Sequence, residues 1–428
     1  MNRIVRLLLL SAIFLAASPP LVFAQAAKPL SLDDCIRLAQ SVPSAATLAR
    51  QESEIAGLGV KQAQGALLPQ SQFDAAYTYN SVLRSGSPLQ SYVALNGVRE
   101  YQFLLTASQE IDFSGRRRAD VARARAERDA AGASVTITQR DLKRAVTSAY
   151  YRLLLARHLE QALRDSFAEA ESFEKRTRLL LEQGEAAQAD LVKASAAAAF
   201  LRQAHNAAQL DAQISNHELA AFWTKDVAAP LDIVDVFDRP PAPESEVSLA
   251  GAFMTRPEFS LLDAQRRSFT EESRRIRANL FPQANISFQY GLDTNVIRAR
   301  DRGYALFVNL NVPIFDWIRT LNASKQFRAR AAQTESSRSI AERVFSRDYE
   351  SARARVKMLF EQIGIAAAQM KLAEEDVRLS RIRFEGGEGS ALDVVTAQSQ
   401  LAQARGNYYT SIANYLNARA DREVAAGR

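Results

Sequence analysis

Apolar residues recur along this chain at two spacings, and the spacings alternate in the same order twice. From Leu142 to Leu181 they fall in steps of four and three, through Val146, Ala149, Leu153, Phe167 and Ala170, with Glu160 and Glu174 as interruptions. Similar seams run from Leu191 to Phe222, from Ala352 to Phe384 and from Val394 to Ala418. A repeat near 3.5 residues predicts helices that coil against partners, and the many alanines and serines let them approach closely. Elsewhere the period drops to two. Phe73, Ala75, Tyr77 and Tyr79 alternate with polar residues, as do Ile286, Phe288, Tyr290 and Leu292, then Tyr304, Leu306 and Val308. Tyr101, Phe103, Leu105 and Ala107 alternate less cleanly. This is the strand pattern.

The predicted order in each half is helix, strand, loop, strand, long helix, tip, helix. The fold class is mainly α with a small β part, built from a duplicated helix-strand-strand-helix repeat. A first repeat over 25–223 has strands at about 70–82 and 100–112 and a helical hairpin over 114–223. A linker over 224–247 carries Pro230, Pro240, Pro241 and Pro243. The second repeat, 248–428, has strands at about 283–295 and 303–313 and a hairpin over 316–424, with Ser248 starting its first helix. Pro69 and Pro282 end the early helices at matched places.

The hairpins reverse at Gln183-Gly184-Glu185, with the tip near 184, and at Gly386-Gly387-Glu388-Gly389, with the tip near 387. Glycine relaxes the limits on φ where a helix must stop. Ser390 then reads as an N-cap, with Asp393 as the acid of the first turn. Asp190 precedes Asp393 by 203 residues, which marks the two tips as equivalent.

Composition narrows the classes. The formal charge over 428 residues is +6, and acids and bases are interspersed, so no nucleic-acid partner is expected. Residues 1–24 read as a secretory signal: Arg3 and Arg6 start it, Leu7 to Ala17 is apolar, and Val22-Phe23-Ala24 offers a cleavage site. The apolar run is about half the roughly 20 residues a membrane anchor needs. Cys35 is the only cysteine, so no intramolecular disulfide can form, and it reads as a packed residue. His158, His205 and His217 have no ligand spacing, and no metal or cofactor is expected. Enzymatic readings fail on residue supply: there is no phosphate loop and no histidine at recognisable spacing from a nucleophile. Arg116, Arg117 and Arg118 read as a solvated basic start to the first long helix.

Four alternating strands with tyrosines at 77, 79, 101, 290 and 304 suit either a half-buried soluble sheet or a membrane barrel wall. Four strands cannot close a barrel, and open edges are not tolerated in lipid. If these strands span a membrane, three copies would give twelve.

The whole chain beyond residue 24 resembles the TolC-like outer-membrane efflux proteins. The resemblance is carried by the duplicated order of elements and by Arg256-Pro257-Glu258 in the second repeat. Val312-Pro313-Ile314-Phe315-Asp316 at the return to helix also matches. The most specific match is Arg383-Phe384 with Gly386-Gly387, Gly389-Ser390 and Leu392-Asp393-Val394. The resemblance implies a homotrimer, with a twelve-stranded β-barrel in the outer-membrane lipid continued by an α-helical barrel into the periplasm. It implies a passive duct whose tips dock a periplasmic adaptor and, through it, an inner-membrane transporter. Asp393, Asp190 and Phe384 would then line the periplasmic gate. Gly184, Glu185, Gly386, Gly387, Glu388, Gly389 and Ser390 would form the docking turns. Helix capping and turn geometry are the plainer readings of the same residues. Thr396 stands where the family often has a second gate acid, and Phe384 lacks a hydroxyl for bonding a neighbour. A protein-secretion duct is the rival within the class. A secreted coiled-coil scaffold is the rival outside it, though it leaves the strands unexplained.

Overall fold

The strands meet in one antiparallel sheet in sequence order, although β2 and β3 are separated by a helical hairpin. The computed structural model describes residues 29–81, 98–237 and 251–428. The signal segment, the loop glycines Gly86 and Gly97, Ser248 and the linker prolines 240, 241 and 243 lie outside the described residues. The sheet comprises β1 (Gln70–Tyr79), β2 (Arg99–Ile111), β3 (Gln283–Thr294) and β4 (Gly303–Asn311). Its register aligns the alternation of all the strands. Phe73 sits opposite Leu105, Leu105 opposite Tyr290 and Tyr290 opposite Tyr304; Ile286 faces Val308. One face is therefore continuously apolar. The other is largely polar: Gln72 bonds Asp74 at 3.0 Å, and Gln289 bonds Thr106 at 3.3 Å across β2 and β3. The apolar face is solvent-exposed in the single chain, and β1 and β4 each leave one edge unpaired.

The helices are α1 (Leu32–Ser41), α2 (Ala45–Gly65), α3 (Arg116–Glu182), α4 (Gln188–Ala220), α5 (Pro257–Ala278), α6 (Trp317–Glu385) and α7 (Ala391–Ala425). With 67 and 69 residues, α3 and α6 are each on the order of 100 Å long. Near the sheet α2, α3, α5 and α6 pack side by side in that order; further away α4 and α7 replace α2 and α5. The predicted seams are the buried ones. Val146, Leu153, Ala170 and Thr177 on α3 are closed off, as are Ala194, Ala198 and Leu201 on α4. Val356 and Ile363 on α6 and Val394, Ala397 and Leu401 on α7 are closed off too. Thr177 satisfies its hydroxyl on the Phe173 carbonyl at 2.9 Å, so a polar residue can sit on the seam.

The largest core lies midway along the hairpins and gathers α1, α3, α4, α6, α7 and the segment 231–237. That segment is more than a connection. Ile233 and Phe237 are buried, Leu30 and Ile233 form a parallel bridge, and the Tyr150 hydroxyl donates to the Val234 carbonyl at 2.6 Å. The segment follows Pro230, which ends any helix before it, and runs as an extended strap. Cys35 is fully buried here, and burial pushes its thiol up to about 11. α1 starts with Ser31 and Asp34 in a reciprocal capping box.

Two ion clusters hold the upper helices. Arg116 and Arg117 are not the solvated cations their sequence suggests. Both grip Glu110 at the end of β2, each at 2.6 Å, while Asp112 accepts the first amides of α3 at 3.1 Å. The partner came from a strand, out of reach of any helical spacing rule. Lower down, Arg140 donates to Glu258 at 2.9 and 3.2 Å with its side chain only 7% exposed, and Arg256 adds a bond at 2.7 Å. Burial raises the Glu258 carboxyl, but the bonds from Arg256 and Arg140 outweigh it and hold it at about 2. The folded value is depressed, so this stabilisation is complete above the unfolded value near 4.5 and is lost as pH falls toward 2. Glu258→Gln should lower stability at neutral pH by about 3 kcal/mol, because a buried guanidinium loses its main partner. It should also flatten the dependence of the thermal midpoint between pH 4.5 and 2; an unchanged midpoint would contradict this account.

Candidate functional site

The hairpin tips end both long helices by the same device, built from the same places in each repeat. At the first tip the Glu185 amide donates to the Leu180 carbonyl at 2.8 Å and the Gly184 amide to Leu181 at 3.0 Å. At the second, Glu388 donates to Arg383 at 2.9 Å and Gly387 to Phe384 at 3.1 Å. This pair of bonds satisfies the last carbonyls and needs a left-handed residue between them. Gly184 has φ +81° and Gly387 φ +76°. Gly386 stays in the right-handed helical region at φ −83°, so it needs no glycine for its backbone. Gly389 adds a third bond to the Arg383 carbonyl at 3.0 Å. Gly184, Glu185, Gly386, Gly387, Glu388 and Ser390 are all exposed at the end of the molecule.

The outgoing helices start differently. Ser390 caps α7: its hydroxyl accepts from the Asp393 amide at 3.3 Å, and the Asp393 carboxylate accepts from the Ser390 amide at 3.0 Å. The Ser390 amide, then the Ser390 hydroxyl, then the Arg383 charge hold the Asp393 carboxyl below its ordinary value. Asp393 is exposed and stays ionised at neutral pH. At the equivalent place of α4, Ala187 replaces the capping serine and supplies no side-chain bond. Asp190 instead lies 3.7 Å from Lys193, whose counterpart in the second repeat is Thr396. The two tip acids thus share a position but differ in partners.

Phe384 does not point into open space. It meets Phe173 edge-on, with ring centroids 5.2 Å apart, in a cluster with Ala194, Ala391 and Val394. That cluster draws on α3, α4, α6 and α7, and so ties the two hairpins together just above the tips. Arg176 reinforces it with an ion pair to Glu385 at 3.1 Å. Phe173, Arg176 and Lys193 escaped the sequence reading. Lys193 was visible through the 203-residue offset; the other two depend on the register between hairpins, which no single-helix pattern encodes.

Among the described residues no group of three histidines, cysteines or acids is placed to hold a metal ion. No described helix is long and apolar enough to cross a membrane. An apolar-faced sheet with open edges, continued by helical hairpins on the order of 100 Å long, defines the protomer of an outer-membrane channel with a periplasmic helical extension. The chain belongs to the outer membrane efflux protein family, whose model matches residues 46–224 and 252–428. No curated protein matches it in sequence. Solved structures match over 92% of its length. The CmeC outer membrane channel of Campylobacter jejuni does so at 17% identity, over 85% of that chain, with a TM-score of 0.84. The outer membrane protein VceC of Vibrio cholerae is 16% identical over 96% of its chain, with a TM-score of 0.81. The MtrE outer membrane channel of Neisseria gonorrhoeae, in its open state, is 19% identical over 88%, with a TM-score of 0.79. At these identities the likeness is one of fold.

The tip geometry separates the glycines. Gly387→Ala should cost about 1 kcal/mol locally, because an L side chain is strained at positive φ. Gly386→Ala should cost almost nothing, since its new Cβ would meet nothing closer than the Ile382 carbonyl oxygen at 3.4 Å. Trypsin cleavage after exposed Arg383 is the readout: faster in the first variant and unchanged in the second. Equal rates would contradict the assignment.

Proposed function

We propose that this outer-membrane efflux channel is a homotrimer that serves as the passive exit duct of a tripartite system. Its tips dock a periplasmic adaptor, which couples it to an inner-membrane transporter exporting small molecules such as drugs. The observation that carries the reading is the pairing of an apolar sheet face with two unpaired edges. In lipid each edge strand needs a partner, and three copies complete a twelve-stranded wall with its polar face inward.

A second apolar surface supports the same assembly. Met358, Ile365, Leu372 and Leu379 recur every seven residues along α6 and are all exposed in the single chain. Val192, Phe200, Leu210 and Ile214 make a matching exposed stripe on α4. Both helices flank the packed set, so a ring of three copies would bring the α6 stripe of one against the α4 stripe of the next. Heptad spacing suits such a coiled contact.

Asp393 and Asp190 would recur three times around the mouth and favour cations there. Capping and gating are compatible for Asp393, because the cap occupies one carboxylate oxygen and leaves the other free. Phe384 acts at the gate indirectly, by fixing one hairpin against the other. Gly184, Glu185, Gly386, Gly387, Glu388, Gly389 and Ser390 form the exposed turns offered to the adaptor.

Single-channel recording from the purified protein in a planar bilayer tests this reading. Discrete cation-preferring openings are expected. Asp393→Ala should enlarge or prolong them and weaken the preference for cations. Because the Asp393 carboxyl lies below its ordinary value of 3.8, the wild-type preference should persist through that value and fade only at lower pH. Openings indifferent to Asp393→Ala would confine that residue to capping. A water-soluble protein without conductance would overturn the channel reading.

A further inference from the structure

We propose that the outer groove between α3 and α5, just below the sheet, binds the headgroup of an anionic phospholipid from the periplasm-facing leaflet. This rests on the reading that the apolar sheet face meets lipid.

The groove encloses about 510 Å³ and opens at the junction of strands and helices. Small residues, among them Gly115 and Ala122, line it together with Phe281. Arg118, Arg274 and Arg277 also line it, with one acid, Glu271. Its side of the wall follows from Glu110. That residue belongs to the polar face of β2, opposite Asn285, and it takes Arg116 and Arg117. With 3.6 residues per turn, Arg118 and Ala122 leave α3 on the opposite side. The groove therefore continues the apolar face of the sheet and stays clear of the polar interior.

The charges suit a phosphate. Arg118 approaches Asp112 at 3.4 Å and Arg274 approaches Glu271 at 2.6 Å, with both arginine side chains mostly exposed. Their acids, Asp112 and Glu271, are largely buried, so it is the guanidinium ends that face solvent and can take a second anion. Arg277 has no ion-pair partner among the described residues, so the groove carries one uncompensated positive charge. Guanidinium groups bind phosphate oxygens in paired fashion, and three converge here on one opening.

The surroundings select a lipid. Every strand–helix junction leaves a large apolar side chain exposed at this level: Leu68, Phe113, Phe281 and Phe315. Aromatic and aliphatic residues above arginines reproduce the order of acyl chain above phosphate in a leaflet seen from the periplasm. The single positive charge matches a headgroup with one negative charge, such as phosphatidylglycerol. The groove also lies within one chain, between the inner helices α3 and α5, so trimer closure through the outer helices of this level, α2 and α6, would leave it open.

Native mass spectrometry of the detergent-extracted full-length protein, titrated with phosphatidylglycerol or phosphatidylcholine, tests the site. Up to three retained phosphatidylglycerol molecules per trimer are expected, with at least tenfold weaker retention of phosphatidylcholine. Replacing Arg118, Arg274 and Arg277 together by Gln should lower phosphatidylglycerol retention at least tenfold with the oligomer mass unchanged. Arg277→Gln alone should lower it several-fold, which keeps the test valid if the triple variant folds poorly. Soluble glycerol phosphate at the same concentration should not compete; if it does, the groove is a free-phosphate site and the lipid assignment fails. Equal retention by wild type and Arg277→Gln would overturn the site while leaving the channel intact. A wild-type protein that stays soluble without detergent and carries no lipid would overturn both the site and the membrane reading.

Discussion

The unpaired backbone of β1 and β4 is the constraint on which the rest depends. An edge strand in water can hydrogen-bond to solvent, but in hydrocarbon each unmet amide or carbonyl costs several kcal/mol. A four-stranded sheet with an apolar outer face can enter lipid only if both edges find partners. That requirement makes the chain a fraction of a wall and asks for copies of itself. The polar face then turns inward by the same alternation that turns the apolar face out.

The helices extend this wall without a break. At the β2–α3 junction Glu110 with Arg116, Arg117 and Asp112 joins strand to helix. Helices on the order of 100 Å long need lateral support throughout, because no single contact can steady them. The support changes along the length: α2 and α5 flank the upper part, the strap at 231–237 grips the middle, and α4 and α7 serve the lower part. At the far end the two hairpins are joined by the small cluster around Phe173 and Phe384 and by the Arg176–Glu385 pair. A change of diameter at the mouth must therefore work against few contacts, which is where a duct can open at least cost.

Much of this was legible in the sequence, because the relevant patterns are local. Period two at Ile286, Phe288 and Tyr290 places a strand wherever its partners lie. Steps of four and three at Val146, Ala149 and Leu153 place a seam. Gly387, Ser390 and Asp393 specify a turn and a cap within seven residues. What sequence reading lost lies between elements. Phe384 reads as a tip residue by its neighbours, yet its ring is claimed by Phe173 on another helix. Arg116 and Arg117 read as solvated because their anion belongs to a strand. Residues 231–237 read as linker because the stretch 224–247 is broken by prolines, and the sequence does not say that Ile233 and Phe237 dock into a core. Single-chain patterns also cannot say what covers Leu372 or Phe200, which are exposed in the single chain.

The central claim is that several chains share one barrel. The mass of the detergent-extracted complex, measured intact by native mass spectrometry, tests it most directly. A complex of three chains that persists at low concentration is the predicted result. A monomer in the membrane fraction, with both sheet edges unpaired, would contradict the account.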